Sequence, residues 1–438
     1  MEVRFLVIFV FIQISLGSAL ESVGLGRIQT FADFESYGFN LSEINPYAAS
    51  DAFLTTPQLL KKYGYPAEVH KVQTPDGYIL EMHRIPKPGG IPVYLQHGIM
   101  DSSAGWVIMG PHSAFAYLLA DEGYDVWMGN IRGNRYSRNH TFLDPKRRAF
   151  WNYSFNEIGT YDLPTMVDFI LKSTGKNKLH YVGHSQGTTA FWVMCTQRPG
   201  YCDKIISMQA LAPIAFMERV RSPPIRVLAP FVNQLDFLFN LVGAHEFLPN
   251  NKFFKMAGQV ICNEQAITQV ICSNIIFLLT GYNSEQLNKT MLPAILGHLP
   301  AGSSTKQFIH YGQLVQSGRF RQFDYGVIAN RKKYGTFSPP SYDLKKVTAP
   351  VALHYSSNDW LANIRDVKKL QKKLPNVIKE YLVPSPKFNH LDFMLAMNSR
   401  KMVLHEVLKV MRDVEKKANL NKNITPIKKF ITQFSCNY

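Results

Sequence analysis

Gly183-His184-Ser185-Gln186-Gly187 is the stretch whose residue types and spacing point most directly to chemistry. An apolar run, Leu179 to Val182, leads into it, and a helical pattern from Thr188 to Gln197 leads out. A serine on a strained strand-to-helix turn needs neighbours without a Cβ, so that the two elements can approach and the hydroxyl stays exposed. The following helix aims free N–H groups and its positive dipole end at the place where an oxyanion would form. A serine hydroxyl is a poor nucleophile until an imidazole takes its proton. That imidazole in turn needs a carboxylate to fix its tautomer and stabilise its cation.

Chemistry in parallel sheets gathers at the carboxyl ends of the strands, so both partners belong just past the last two strands. Val351-Ala-Leu-His-Tyr355 runs into Ser356-Ser-Asn-Asp359-Trp360, and a later strand runs through Pro384-Ser-Pro-Lys-Phe-Asn389 into His390. Asp359 and His390 fill those places, in the chain order serine, acid, histidine. Asp392 is too near His390 in sequence to be its partner and reads as structural. His354 lies inside a strand and reads as a core histidine, and His184 reads as support for the turn rather than as the base. A tetrahedral intermediate needs two N–H donors. One belongs to Gln186. The other belongs to the loop after the strand Pro92–Gln96, with Ile99 preferred and Met100 as the alternative. No H-E-x-x-H, Cys/His cluster, P-loop or G-x-G-x-x-G stands in usable context, so neither metal nor cofactor is implied.

The elements that must position these residues are legible as periodicity. Thr56 as N-cap with Pro57 starts a helix that Gly64 and Pro66 stop. Glu68–Thr74 and Tyr78–Ile85 read as strands joined by a Pro75-Asp76-Gly77 turn. Strands at Pro92–Gln96, Tyr124–Met128, Leu179–Val182, Ile205–Leu211, Val351–Tyr355 and Ile378–Val383 alternate with helices at Ser113–Asp121, Tyr161–Lys172 and Thr188–Gln197. That alternation predicts an α/β fold, a mostly parallel sheet with helices on both faces. It breaks from residue 215 to 340, where Phe231, Leu235, Leu238, Phe239 and Val242 fall at helical spacing with Phe237 and Leu241 on the other side. This stretch reads as a helical cap. Its two-sided helix is either buried, the more frequent arrangement, or a lid face that meets lipid. An amphipathic helix from Arg400 to Lys417 closes the core, with Val403, Val407, Val410 and Val414 on its stripe.

The resulting organisation is a signal peptide (1–19), a core (20–214 and 341–417), a cap (215–340) and a basic tail (418–438). The signal peptide rests on Arg4, the apolar run Phe5–Leu16 and Gly17-Ser-Ala19; a membrane anchor would need about 20 apolar residues, and no later run spans. Sequons at Asn40, Asn139, Asn152, Asn288 and Asn423 fit a secretory route. Apolar content of 46% supports an ordinary globular core. A formal charge of +16 would suggest nucleic acid inside a cell, but on a secreted chain it reads as solvated lysine. Attraction of the Lys409–Lys429 region to anionic lipid is the middle reading. Of five cysteines, Cys262 and Cys272 are the favoured pair, and Cys195 reads as a buried thiol.

Between Thr56 and Met411 the chain resembles the acid lipase family, which includes gastric lipase and lysosomal acid lipase. The resemblance rests on Gly64-Tyr-Pro66, Thr74-Pro-Asp-Gly-Tyr-Ile-Leu80, Leu95-Gln-His-Gly-Ile99 and Gly129-Asn-Ile-Arg-Gly-Asn-Arg-Tyr-Ser137. It continues through Phe155-Asn-Glu-Ile-Gly-Thr-Tyr-Asp-Leu-Pro164, the serine motif, Asn358-Asp-Trp-Leu361 and Asn389-His-Leu-Asp-Phe393. It implies an α/β-hydrolase fold with a movable lid, and hydrolysis of triacylglycerols or sterol esters at a lipid–water interface. Ser185, Asp359 and His390 would form the triad, and Gln186 and Ile99 the oxyanion donors. The family's cap disulfide maps onto Cys262 and Cys272, one residue wider here, and the basic tail exceeds the family pattern. An esterase for soluble esters and a catalytically inactive lipid-binding or storage protein are the competing readings.

Overall fold

The structure is a computed structural model that describes residues 46–248 and 269–418. The expected signal peptide, Cys262 and all of the basic tail but Ala418 lie outside the described residues.

Eight strands lie side by side: β1 (Glu68–Gln73), β2 (Tyr78–Ile85), β3 (Pro92–Gln96), β4 (Asp125–Gly129), β5 (Leu179–His184), β6 (Ile205–Leu211), β7 (Val351–Tyr355) and β8 (Val377–Leu382). Their spatial order is β1-β2-β4-β3-β5-β6-β7-β8, and a two-residue strand, Asn139–His140, pairs with β2. β2 is antiparallel to both β1 and β4, and every pairing from β4 to β8 is parallel. All residues of β3 to β7 are buried, which is why they read as near-continuous apolar runs rather than alternating ones. β8, at the edge, is only partly covered.

Several boundaries differ from the sequence expectation. Thr55, not Thr56, caps the helix α1 (Thr56–Lys62), because Gln58 lies three residues on and completes a capping box. Thr56 is thereby free to bury its hydroxyl against Tyr136 and Ser103. α2 spans Phe115–Asp121. The helix expected at Tyr161 begins as a π turn (Ile158–Asp162) and becomes α-helical as α3 (Leu163–Thr174). Gly159 explains the irregular start: a Cβ there would come within 2.5 Å of Val193 on α4 (Gln186–Gln197), so π turn and helix touch backbone to side chain.

Between β6 and β7 the chain is helical, with α5 (Val232–Val242), α6 (Gln269–Thr280) and α7 (Thr305–Ser317) as the longer members. α5 is not the buried helix its pattern favoured. Val232 and Phe239 are buried, but Phe237 and Leu241 are each 71% exposed. The final helix α8 (His405–Lys417) follows a π turn at Arg400–Leu404 and buries Val407 and Val410. Its Glu415 is also buried, meeting Tyr124 Oη at 2.7 Å and His180 Nε2 at 2.9 Å.

Cys195 is not a free thiol. It is disulfide-bonded to Cys202, because Gly200, at φ 82°, turns the chain back along the last turn of α4. Cys272 is also disulfide-bonded, and its expected partner Cys262 lies outside the described residues. Cys195 and Cys202 are seven positions apart, so the bond closes a small loop worth about 2 kcal/mol in chain entropy. Cys202→Ser should lower urea stability by about that amount; an unchanged midpoint and slope would contradict it.

Candidate active site

The apolar strand β5 delivers Ser185 at φ 51°, ψ −117°, and α4 begins at the next residue. The turn is held by the neighbouring strand, since Ser185 N–H donates to Leu211 O at 3.0 Å. Gly187 permits the close approach. A Cβ on it would sit 2.3 Å from Gln96 O of β3, where backbone cannot yield.

The structure brings together the three side chains that the sequence singled out from separate loops. His390 Nε2 lies 2.8 Å from Ser185 Oγ, and His390 Nδ1 lies 2.8 Å from Asp359 Oδ2. The other carboxylate oxygen, Oδ1, accepts the N–H groups of Leu361 (2.8 Å) and Ala362 (2.7 Å). An ionised carboxylate only accepts, so the imidazole donates from Nδ1 and presents the lone pair of Nε2 to the hydroxyl. This line can take the proton from Ser185 and pass it on. All three residues are buried.

Gln186 is the first residue of α4, where an N–H has no intrahelical partner. Ile99 follows Gly98, whose Cβ, if present, would lie 3.2 Å from Ser185 Cβ. The Gly98 carbonyl accepts from His97 Nδ1 at 2.7 Å, while His97 Nε2 accepts from Ile131 N (3.3 Å) and Asn134 Nδ2 (3.2 Å). Burial pushes His97 down to about 4, so the ring stays neutral with that tautomer. In a planar trans peptide the Ile99 N–H points away from the Gly98 carbonyl, so His97 sets the direction of that N–H. The alternative, Met100, stands at φ 59° and its carbonyl accepts from Ala301 N at 2.7 Å.

The three rivals hold structure. His184 Nε2 donates to the His390 carbonyl at 3.0 Å; burial, then the neighbouring His390, pushes its pKa down to about 3. Asp392 accepts from Asn283 Nδ2 (2.6 Å) and Asn389 N (2.7 Å), and burial pushes its carboxyl up to about 6. His354, inside β7, bonds Gln209 Oε1 at 3.0 Å.

Sequence reasoning missed the segment Thr280–Asn283, the C-terminal end of α6 and the residues after it. Thr280 O accepts from Trp360 N (3.3 Å) in the acid loop and from His390 N (3.4 Å) in the histidine loop. Gly281 O accepts from Asn389 Nδ2 at 2.9 Å, and Tyr282 O from Asn358 Nδ2 at 2.8 Å. The only signal was a glycine closing an apolar helix. Gly281 stands at φ 115°, and a Cβ on it would fall 2.2 Å from Asn358 O. On the other flank, Gln186 Nε2 donates to Gln307 Oε1 of α7 at 2.7 Å.

A parallel sheet with a serine turn at the end of β5 defines an α/β hydrolase, and comparison with known proteins agrees. The alpha/beta hydrolase fold family matches residues 91–396, and the partial alpha/beta-hydrolase lipase region matches 56–110. Lipase 1 of Drosophila melanogaster is 47% identical over 365 residues, covering 83% of this chain and 81% of that protein. Gastric triacylglycerol lipase of Rattus norvegicus is 38% identical, covering 88% and 98%, and that of Homo sapiens 37%, covering 82% and 91%. A solved structure from Sulfolobus solfataricus shares the fold at a TM-score of 0.54 and 15% identity, over 79% of this chain and 94% of that one. The chain belongs to the α/β-hydrolase lipases, with the gastric and acid lipases among its relatives, and is a carboxylic ester hydrolase.

Two outcomes follow. Gly281→Ala should shift both loops together and lower kcat on a soluble ester by roughly 100-fold; a rate within twofold of the native protein would show that Thr280–Asn283 does not position them. Burial pushes His354 down to about 3, so between its ordinary value near 6.5 and pH 3 the unfolded chain binds a proton that the folded protein refuses. Stability therefore falls as pH drops through that window, and His354→Gln should make the fall shallower by about one proton in urea titrations.

Proposed function

We propose that the protein hydrolyses ester bonds of neutral lipids, triacylglycerols or cholesteryl esters, through an acyl-enzyme on Ser185. The observation that carries the reading is the hydrogen-bonded line Ser185–His390–Asp359, 2.8 Å at each step. Ser185 Oγ attacks the carbonyl carbon while His390 Nε2 takes its proton and Asp359 stabilises the imidazolium. The carbonyl oxygen becomes an oxyanion held by the N–H groups of Ile99 and Gln186. Collapse breaks the bond to the alcohol, which leaves with the proton from His390. Water then attacks the acyl-enzyme by the same route, releasing the fatty acid and restoring the hydroxyl.

Relatives named gastric triacylglycerol lipase support the substrate class. The exposed apolar residues Phe231, Phe237 and Leu241 support residues 215–340 as a cap that works against lipid, a peripheral contact rather than a span. We also infer a secretory route, to the exterior or the lysosome. It is supported by the apolar run Phe5–Leu16 and by the exposure of the sequon residues Asn139 and Asn152.

Hydrolysis of emulsified long-chain triacylglycerol and cholesteryl ester, measured beside a monomeric short-chain ester, tests the reading. Ser185→Ala should lower the rate by several orders of magnitude, on the order of a million-fold if the three groups act as a unit. A variant as fast as the native protein would remove the mechanism. A rate confined to the monomeric ester would make the protein a soluble-substrate esterase.

A further inference from the structure

Beside the loop that carries Asp359 lies a cleft of about 650 Å³ lined by Arg219, Arg221, Arg226 and Arg365, with Glu218 as its lining carboxylate. Glu218 is already met by Lys369 Nζ and Arg219 Nη1, both at 3.0 Å, and Arg219 also reaches Asp366 at 3.2 Å. Among the described residues no carboxylate pairs with Arg221, Arg226 or Arg365. Arg221, Arg226 and Arg365 thus line one concave surface with no carboxylate partner among the described residues, and Arg221 Nη1 donates to the Ser357 carbonyl at 3.5 Å. Arg221 is tied to the acid loop, since its N–H donates to Trp360 O at 2.7 Å and its guanidinium lies 5.7 Å from the Trp360 ring.

The cleft is continuous with apolar surface. Arg226 belongs to Pro223–Val242, an apolar helical stretch of 20 residues in which only Ala229, Val232 and Phe239 are buried. Val227, Phe231, Phe237 and Leu241 of that stretch are exposed. Guanidinium forks match phosphate oxygens, and exposed apolar side chains on a helix match an acyl layer. A free anion would satisfy the arginines but leave the apolar stretch uncovered. A surface with phosphates above hydrocarbon satisfies both.

We propose that the Arg221, Arg226 and Arg365 cleft docks the phosphate headgroups of an anionic lipid surface, with the exposed side of Pro223–Val242 entering the acyl layer beside it. The proposal rests on the reading of the protein as a hydrolase of lipid esters, and it names the surface on which that hydrolase sits. It is also distinct from attraction through the lysine-rich C-terminal region, which lies in another part of the chain.

The test is sedimentation of the full chain with vesicles of phosphatidylcholine alone and of phosphatidylcholine with phosphatidylglycerol. The Ser185→Ala background removes hydrolysis from the readout, so a failure here leaves the ester chemistry standing and the reverse also holds. Anionic vesicles should bind more tightly, and Arg226→Gln with Arg365→Gln should weaken that binding by about 30-fold. Lys345→Gln with Lys346→Gln removes the same charge just before β7, at the opposite end of the sheet, and should leave binding unchanged. Equal binding to both vesicles, or equal losses in the two double variants, would overturn the site. Calorimetric titration with inorganic phosphate closes the remaining route: saturable binding that the arginine variant abolishes, without vesicle preference, would assign the cleft to a free anion and overturn the lipid docking.

Discussion

Ser185 stands at φ 51°, a conformation that costs a residue with a side chain on the order of 1–3 kcal/mol, and it survives only because its surroundings leave it no alternative. The N–H of Ser185 is taken by β6, Gly187 lies against the backbone of β3, and α4 is buried from Gln186 to Thr196. The burial that stabilises the central sheet therefore also holds one hydroxyl in a strained position. β3, β5 and β6, completely buried, are the anvil on which that turn is bent.

The imidazole is held from two sides by different parts of the chain. His184, on the serine turn, grips the carbonyl of His390, and Thr280, at the end of α6, grips its N–H. Electrostatics agree with this arrangement. Burial keeps His97 and His184 neutral far below neutral pH, and the His184 ring centroid lies 5.1 Å from that of His390, so His184 adds no positive charge beside it. A charged His184 would oppose any positive charge on His390 across a few ångströms of buried protein.

Much of the core was legible because burial on both faces leaves β5, β6 and β7 mostly apolar, with His180, Gln209 and His354 among the buried polar exceptions. The serine and the acid were legible because each lies past the carboxyl end of a buried apolar strand, and the histidine because it lies in the loop that follows β8. Where the chain departs from expectation, particular side-chain and backbone contacts rather than periodicity decided the outcome. Gln58 moved the cap of α1 to Thr55, and the approach of Val193 to Gly159 gave α3 its π start. α5 showed its limits differently: a helix apolar on two sides has the same pattern whether it faces protein or solvent, and only the fold reveals Phe237 and Leu241 outside. The pairing of Cys195 depended on the Gly200 turn, which no cysteine count contains. Main-chain positioning by Thr280–Asn283 was invisible for a related reason, since a carbonyl oxygen leaves no mark on residue type.

That last feature bears on how such enzymes can diverge. Because one carbonyl, Thr280 O, is shared by the loops of Asp359 and His390, the helical insertion is not a lid laid over a finished machine; it supplies part of the frame. Swapping the insertion between relatives would then transplant the alignment of both loops. A hybrid whose graft ends before residue 280 keeps its native frame, whereas one that crosses it inherits the donor's geometry for both loops at once.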